Sequence, residues 1–275
     1  MQDSQLLEPL QNIAIAAGEE ILEIYNASGG FEVELKQDNS PLTEADRRAH
    51  LLIVARLQEL TPDIPVLSEE SEAIDYQTRS RWQQYWLVDP LDGTKEFVKR
   101  NGEFTVNIAL IRQGRVVLGV VYVPVTGVCY RGLVGFGAWK QKSGEAAVAI
   151  SVDRFAPTYD RIRVVASRRH GGEALAKLIE CLQTRFAEVE LLSMGSSLKI
   201  CLIAEGLADL YPRLAPTCEW DTAAAHGVLA AAGGEIVDID FKPLRYNQKD
   251  ELLNPYFFAL ADNTYAWQEL LPKGL

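Results

Sequence analysis

The stretch Tyr85-Trp86-Leu87-Val88-Asp89-Pro90-Leu91-Asp92-Gly93-Thr94 sets four apolar residues directly against a pair of acids. An apolar run with so abrupt an acidic end reads as a buried strand that stops at the lip of a cleft. Hard divalent cations such as Mg²⁺ take oxygen ligands, held at about 2.0–2.1 Å in octahedral geometry. Where the strand breaks into a turn, Asp89 and Asp92 converge on one point. Pro90 fixes the bend, and the Leu91 carbonyl, lacking a ladder partner there, is free to join them. Gly93 allows close approach of the backbone to a ligand and takes dihedrals other residues avoid. The amides of Gly93 and Thr94 then face a bound phosphate, and the Thr94 hydroxyl is placed to orient a water. The competing view is an acidic surface turn with Pro and Gly; the buried-looking strand ahead of it weighs against that.

Two more acidic positions lie where an apolar element begins or ends. Glu69, in Ser68-Glu-Glu-Ser71, follows Ile64-Pro-Val-Leu67, and Asp221, in Glu219-Trp-Asp221, opens an apolar helical pattern. Taken singly, Glu69 could be one of two solvated glutamates, and Asp221 a helix N-terminal acid stabilised by the macrodipole. Asp46 lies three residues after Thr43 and could simply complete a capping interaction. Together these acids fit a site with two or more metals about 3.5–4 Å apart that clamps a phosphoryl group.

Outward from these motifs, Leu6, Leu10, Ile13, Ala14, Ala17, Ile21 and Ile24 recur at helical spacing, and that helix should stop before Ser28-Gly-Gly30. A second helix is predicted from Thr43, its cap, to Thr61-Pro62, with the polar turn Lys36–Pro41 between the two. Val66–Ser68 is a short apolar run like Tyr85–Val88. Val106–Ile111, Val116–Val123 and Val128–Leu133 then read as consecutive antiparallel strands. Around Pro157 the pattern changes, which divides the chain into residues 1–156, helices plus an antiparallel sheet, and residues 157–275, a smaller α/β lobe. In the second part strands at Ile162–Ala166, Val189–Leu192, Leu207–Tyr211 and Glu235–Val237 alternate with helices at Glu173–Phe186, Ser197–Ala204 and Thr222–Ala232.

Composition excludes several classes. A formal charge of −11 and a pI near 4.9 leave no general footprint for a nucleic-acid polymer or an anionic membrane. An anionic substrate would therefore need local cations. The N-terminus lacks the pattern of a signal peptide, and no apolar run approaches the roughly 20 residues of a bilayer span. Cys129, Cys181, Cys201 and Cys218 are irregularly spaced with no C-x-x-C pair, so reduced, partly buried thiols are expected. The expected location is the cytoplasm, with peripheral association at the inner membrane face left open. Monomer and homodimer are both left open.

The order Glu69-Glu70-Ser71, Trp86-Leu-Val-Asp-Pro-Leu-Asp-Gly-Thr94, Trp220-Asp221 resembles the signature of the lithium-sensitive inositol monophosphatase superfamily, from about residue 5 to the C-terminus. Within it, the sequence looks most like the 3′(2′),5′-bisphosphate nucleotidases of the CysQ type. The subgroup features are Lys36-Gln-Asp-Asn-Ser-Pro-Leu-Thr43 with Ala45-Asp46, and Asp92-Gly-Thr-Lys-Glu-Phe97 followed by Asn101-Gly-Glu-Phe-Thr-Val-Asn107. Further along come Gly195-Ser-Ser-Leu-Lys199 and Tyr211-Pro-Arg213. Inositol monophosphatases usually continue the aspartate run with Thr-Asn-Phe and carry Gly-Thr-Ala-Ala in place of Gly-Ser-Ser-x-Lys.

The resemblance implies a layered αβαβα sandwich, of α+β or α/β class, and two or three Mg²⁺ ions per chain. It implies that Glu69, Asp89 and the Leu91 carbonyl hold one Mg²⁺ while Asp89, Asp92 and Asp221 hold another. Asp46 and Thr94 would help activate the attacking water. Gly93, Thr94, Ser196, Lys199 and Arg213 would contact substrate phosphates, and His170 would lie on the substrate side, although Arg169 stands where relatives carry a small residue. Physical chemistry supports the cations independently: Lys199 lies near a predicted helix start and Arg213 offers a planar fork. The implied activity is hydrolysis of the 3′-phosphate of adenosine 3′,5′-bisphosphate, or of its 5′-phosphosulfate form, which links the chain to sulfur assimilation. Two alternatives stay open: a sugar phosphatase acting on inositol 1-phosphate or fructose 1,6-bisphosphate, and a non-catalytic nucleotide or metal sensor. A P-loop is excluded by the lack of G-x-x-x-x-G-K. Gly132-Leu-Val-Gly-Phe-Gly137 follows a strand with no helix behind it.

Overall fold

The computed structural model describes residues 2–27, 33–35, 41–156, 158–166 and 172–271. In chain order they form α1 (Leu7–Tyr25), β1 (Val33–Leu35), β2 (Pro41–Thr43), α2 (Glu44–Leu60), β3 (Val66–Ser68), α3 (Tyr76–Arg79) and β4 (Gln84–Asp92). Next come α4 (Thr94–Val98), β5 (Thr105–Arg112), β6 (Arg115–Val123), β7 (Val128–Leu133), β8 (Gly137–Lys142) and β9 (Val148–Ile150). The chain continues as β10 (Arg161–Ala166), α5 (Gly172–Gln183), β11 (Glu188–Ser193), α6 (Leu198–Ala204), β12 (Leu210–Arg213) and α7 (Glu219–Ala231). It closes with β13 (Glu235–Asp238), β14 (Phe257–Leu260) and α8 (Trp267–Leu270).

A seven-stranded sheet runs β3-β4-β5-β6-β7-β8-β9 and a five-stranded sheet runs β11-β10-β12-β14-β13. The first is antiparallel except at its edge, where β3 pairs parallel to β4. The second is mixed: β10 is parallel to β11 and β12, whereas β14 is antiparallel to β12 and β13. Between α1 and α2, β1 and β2 form an antiparallel ribbon in which Pro41 pairs with Leu35; of the expected polar turn, Lys36–Ser40 lie outside the described residues. Three corrections concern strands and helix bounds. β8, β9 and β14 were not expected, β12 begins at Leu210 rather than Leu207, and α7 begins at Glu219, three residues before Thr222.

Strand alternation builds the layers. Trp86 and Val88 of β4, with Val106, Ile108 and Leu110 of β5, share one apolar cluster with Leu10, Ile13, Ala14 and Ala17 of α1 and Ile53 and Leu57 of α2. Tyr85 and Leu87, with Ala109 and Ile111, face the other way into a cluster with α6, α7 and the inner side of the second sheet. A third cluster joins the outer side of that sheet to Leu178 and Leu182 of α5 and Trp267 of α8. The result is an αβαβα sandwich. No helix among the described residues is long and apolar enough to cross a membrane.

Helix α7 lies unusually close to the first sheet. A Cβ added to Gly119 of β6 would stand 1.9 Å from the Ala224 carbonyl oxygen. Backbone therefore rests on backbone, with no side chain as cushion. The depth of α7, and of Asp221 in its first turn, is fixed by that contact.

Candidate active site

In a regular strand, residues three apart point to opposite faces, so Asp89 and Asp92 would diverge. The register is irregular where it matters: Asp89 pairs with Asn107 and Asp92 with Thr105, so three residues of β4 span the same stretch as two of β5. This bulge at Pro90-Leu91 returns Asp92 to the face of Asp89. The Leu91 side chain is buried toward α1 and α2, and its amide donates to Asp89 Oδ1 at 3.0 Å. Gly93 follows with φ 93°, a left-handed conformation that starts α4 and suits glycine. It lines the same cavity as the acids.

Asp221 arrives from α7, at its third residue. Its Oδ2 accepts from Thr217 Oγ1 at 2.5 Å and from the Cys218 amide at 2.9 Å, the latter half of a capping box. One carboxylate oxygen from each of Asp89, Asp92 and Asp221 lies within 4.8 Å of the others. Glu69 follows β3, its amide bonded to the Val88 carbonyl at 3.0 Å, and it lines the same cavity. Asp89 is only 1% exposed. Burial first, then the charges of Glu69, Asp92 and Asp221, push its carboxyl well above the usual carboxylate range. Burial and Asp92 raise Asp221 to about 6, against the bonds from Thr217 and Cys218. Hard oxygens from one buried and two half-buried acids that repel one another in this way fit a divalent cation.

Asp46 occupies the third position of α2 and is 2% exposed. Its Oδ2 accepts from the Thr43 amide at 2.7 Å and the Thr43 hydroxyl at 2.6 Å, so the capping role is real. Its Oδ1 accepts from Thr94 Oγ1 at 3.4 Å, and the same hydroxyl lies 3.3 Å from the Leu91 carbonyl. One aspartate thus serves the helix with one oxygen and the site with the other.

The acids line a cavity of about 540 Å³. Ser196, in the loop before α6, Lys199 of α6 and Arg213 at the end of β12 line it too. Lys199 is 7% exposed, and its Nζ donates to the Ser196 carbonyl at 2.6 Å, with the Met194 carbonyl at 3.4 Å. Burial pulls it down to about 8, against the pull of Asp92. Arg213 is braced by the carbonyls of Ala215 and Pro216 at 3.1 and 2.7 Å, through Nε and Nη2.

The Ser196 hydroxyl, expected to contact a substrate phosphate, donates to Asp92 Oδ2 at 2.5 Å in this structure, from a backbone with φ 53°. The Ser197 amide donates to the same Asp92 oxygen at 2.5 Å. His170 falls within residues 167–171, outside the described residues. Sequence reasoning assigned no role to Glu103, Thr105 or Ser197, which also surround the site. The available signal was the alternation Glu103-Phe-Thr-Val-Asn107, polar residues on one face of an otherwise apolar strand.

Comparison with known proteins agrees with this geometry. The model of the inositol monophosphatase family matches residues 2–271. The 3′(2′),5′-bisphosphate nucleotidase CysQ of Escherichia coli K12 is 50% identical over 252 residues, 92% of this chain and 98% of the relative. The protein of the same name from Salmonella typhimurium is 48% identical over the same share of each chain. Among solved structures, CysQ from Bacteroides thetaiotaomicron superposes with a TM-score of 0.80 at 46% identity, covering 92% of this chain and 97% of its own. By the family match over nearly the whole chain and the likeness to a solved relative, the chain belongs to the inositol monophosphatase family.

Proposed function

We propose that the chain is a Mg²⁺-dependent 3′(2′),5′-bisphosphate nucleotidase that hydrolyses the 3′-phosphate of adenosine 3′,5′-bisphosphate to AMP and phosphate. The observation that carries this reading is a single cavity lined both by Asp89, Asp92 and Asp221 and by buried Lys199 with Arg213. A single phosphate needs only the acids and the metal they would hold. A substrate with a second anionic group also uses the two cations. The similarity to nucleotidases named CysQ points the same way.

Glu69, Asp89, Asp92, Asp221 and the Leu91 carbonyl would hold two Mg²⁺ ions, and a third would sit weakly near Asp46 and Thr94. Bound there, Mg²⁺ neutralises the phosphate, lowers the pKa of water and stabilises the departing oxygen. The chain's own groups do the rest. Thr94 Oγ1 and Asp46 Oδ1 hold the attacking water, and Asp46 accepts its proton. The new bond forms between that water oxygen and phosphorus as the bond from phosphorus to the ribose 3′-oxygen breaks. The 3′-oxygen ends protonated, so water and phosphomonoester give AMP and phosphate. Lys199 and Arg213 hold the retained phosphate and fix the nucleotide against the acids.

The test is phosphate release from adenosine 3′,5′-bisphosphate, inositol 1-phosphate and fructose 1,6-bisphosphate, each with Mg²⁺. The nucleotide should be turned over with the highest kcat/KM. Comparable values on all three would remove the nucleotidase reading. Release from none, with Mg²⁺ bound, would make the chain a sensor.

A further inference from the structure

Glu103, Thr105 and Asn107 alternate along β5 and its approach, so they share the face that bears Asp89 on the neighbouring strand. Each meets the loop Gly195-Ser196-Ser197, which leads into α6. The Gly195 amide donates to Glu103 Oε2 at 2.7 Å. Thr105 Oγ1 lies 2.7 Å from Ser196 Oγ and 2.9 Å from Ser197 Oγ. Ser197 Oγ lies 2.9 Å from Asn107 Oδ1, to which it donates as the amide is placed, and Asn107 Nδ2 is then buried without a partner. Asn107 and Thr105 are fully buried.

Proton counting gives this cluster a direction. An ionised Asp92 only accepts, so Ser196 Oγ donates its one proton to Asp92 Oδ2. Ser196 must then accept, and Thr105 is its donor. Thr105 in turn accepts from Ser197, and Ser197 needs a donor of its own. Asn107 supplies it with Nδ2 turned toward Ser197. Turning the amide exchanges Oδ1 for Nδ2 beside Ser197, an assignment that the direction of the neighbouring hydroxyl bonds decides.

We propose that Asn107, Ser197, Thr105 and Ser196 form a one-way hydrogen-bond chain that holds Asp92 Oδ2, leaving its other oxygen for the metal. Thr105 and Asn107 are then positioning residues for Asp92. Because Lys199 bonds the Ser196 carbonyl, the chain also links Asp92 to Lys199. The metal-binding part of this proposal is independent of the substrate; the link to nucleotide affinity rests on the nucleotidase reading above. Hydroxyls in series polarise one another, so a break at one link is felt at the end.

The test is Mg²⁺ titrated calorimetrically into metal-free protein without nucleotide, alongside AMP binding and thermal unfolding. Thr105→Val keeps shape but breaks the chain, and should weaken Mg²⁺ binding by about tenfold, with AMP weakened in parallel. Thr105→Ser, which restores the hydroxyl, should recover affinity to within about twofold on the same scale. Asn107→Asp, which puts an acceptor where the chain needs a donor, should behave like Thr105→Val. Unchanged Mg²⁺ affinity in Thr105→Val, with only a lower Tm, would reduce the cluster to packing and overturn the proposal. So would a wild-type protein that binds no Mg²⁺. Should Thr105→Val fail to fold, Ser197→Ala decides by the same criterion, because it removes a single oxygen. If the wild type binds Mg²⁺ but does not hydrolyse the nucleotide, the functional reading falls while the test of the chain stands.

Discussion

Asp46 faces Thr94 with one carboxylate oxygen, at 3.4 Å, and caps the helix beginning at Glu44 with the other. The two roles separate by mutation. Asp46→Ala should abolish turnover and also cost about 1 kcal/mol of stability from the lost cap. Thr94→Val leaves the cap intact, so it should cut phosphate release with urea stability unchanged. If Asp46→Ala loses only stability, the aspartate has no part in the chemistry.

Asp92→Asn should reduce phosphate release by at least about a hundredfold, consistent with loss of several kcal/mol of charge stabilisation. Its circular dichroism spectrum should match the wild type. An active Asp92→Asn protein would sink the metal assignment.

The acid cluster also fixes how stability depends on pH. Asp221 is raised to about 6 in the fold, against about 3.9 in an unfolded chain. For a raised acid, the contribution to stability is present below the unfolded value and lost as pH rises through the folded one. Asp89 shifts in the same direction, and so does Glu219, raised to about 7 by burial. Metal-free protein should therefore lose Tm from these groups between about pH 4 and pH 7. His50 is lowered by burial and opposes this trend, but it is common to both arms when Mg²⁺ is compared with chelator. The Tm gained on adding Mg²⁺ should grow from pH 5 to pH 7.5, as metal replaces protons. Asp89→Asn should raise the Tm of metal-free protein at pH 7.5 while removing activity. A Mg²⁺ shift that is flat with pH would contradict the repulsion described.

Lys199, held down to about 8 by burial, is charged below that pH and neutral above it. The KM for adenosine 3′,5′-bisphosphate should therefore rise as pH passes through about 8. Lys199→Ala should lose more on the bisphosphate than on a nucleoside 3′-monophosphate, and the rise in KM near pH 8 should vanish with it. Equal losses on the two substrates would remove the second-anion role.

Gly119→Ala adds one methyl group at the backbone contact with Ala224. Overpacking of this kind costs about 1–3 kcal/mol, and here the helix that must yield carries Asp221. Urea unfolding should show the loss, and Mg²⁺ affinity should weaken with it. An intact Mg²⁺ affinity would mean that Asp221 does not depend on the seating of that helix.

Much of this was legible in the sequence because burial leaves a periodic trace. The helices Leu7–Tyr25 and Glu44–Leu60 and the strands around Tyr85–Val88 and Val106–Ile111 carry that trace plainly. Asp89, Asp92 and Asp221 stood out because each breaks an apolar pattern. Other features leave no such mark. Val148–Ile150 lies at a sheet edge with Val148 exposed, so no alternation betrays it. Phe257–Leu260 is a four-residue apolar run whose identity comes from pairing with Leu210–Arg213 and Glu235–Asp238. Ser196 lines the cavity, but its aim at Asp92 depends on Thr105, far away in sequence. Hydroxyl direction is a tertiary property.

The seating of Asp221 has a consequence for synthesis. Glu69, Asp89 and Asp92 leave the ribosome early, on strands that can pair with their neighbours at once, whereas Asp221 emerges late in the chain. A product that stops before Asp221 therefore has an acid-lined sheet but lacks one of the three clustered carboxylates. On the proposed metal assignment, metal capture would report that synthesis has passed Asp221, and an unfinished chain would be the one that a protease finds unliganded and open.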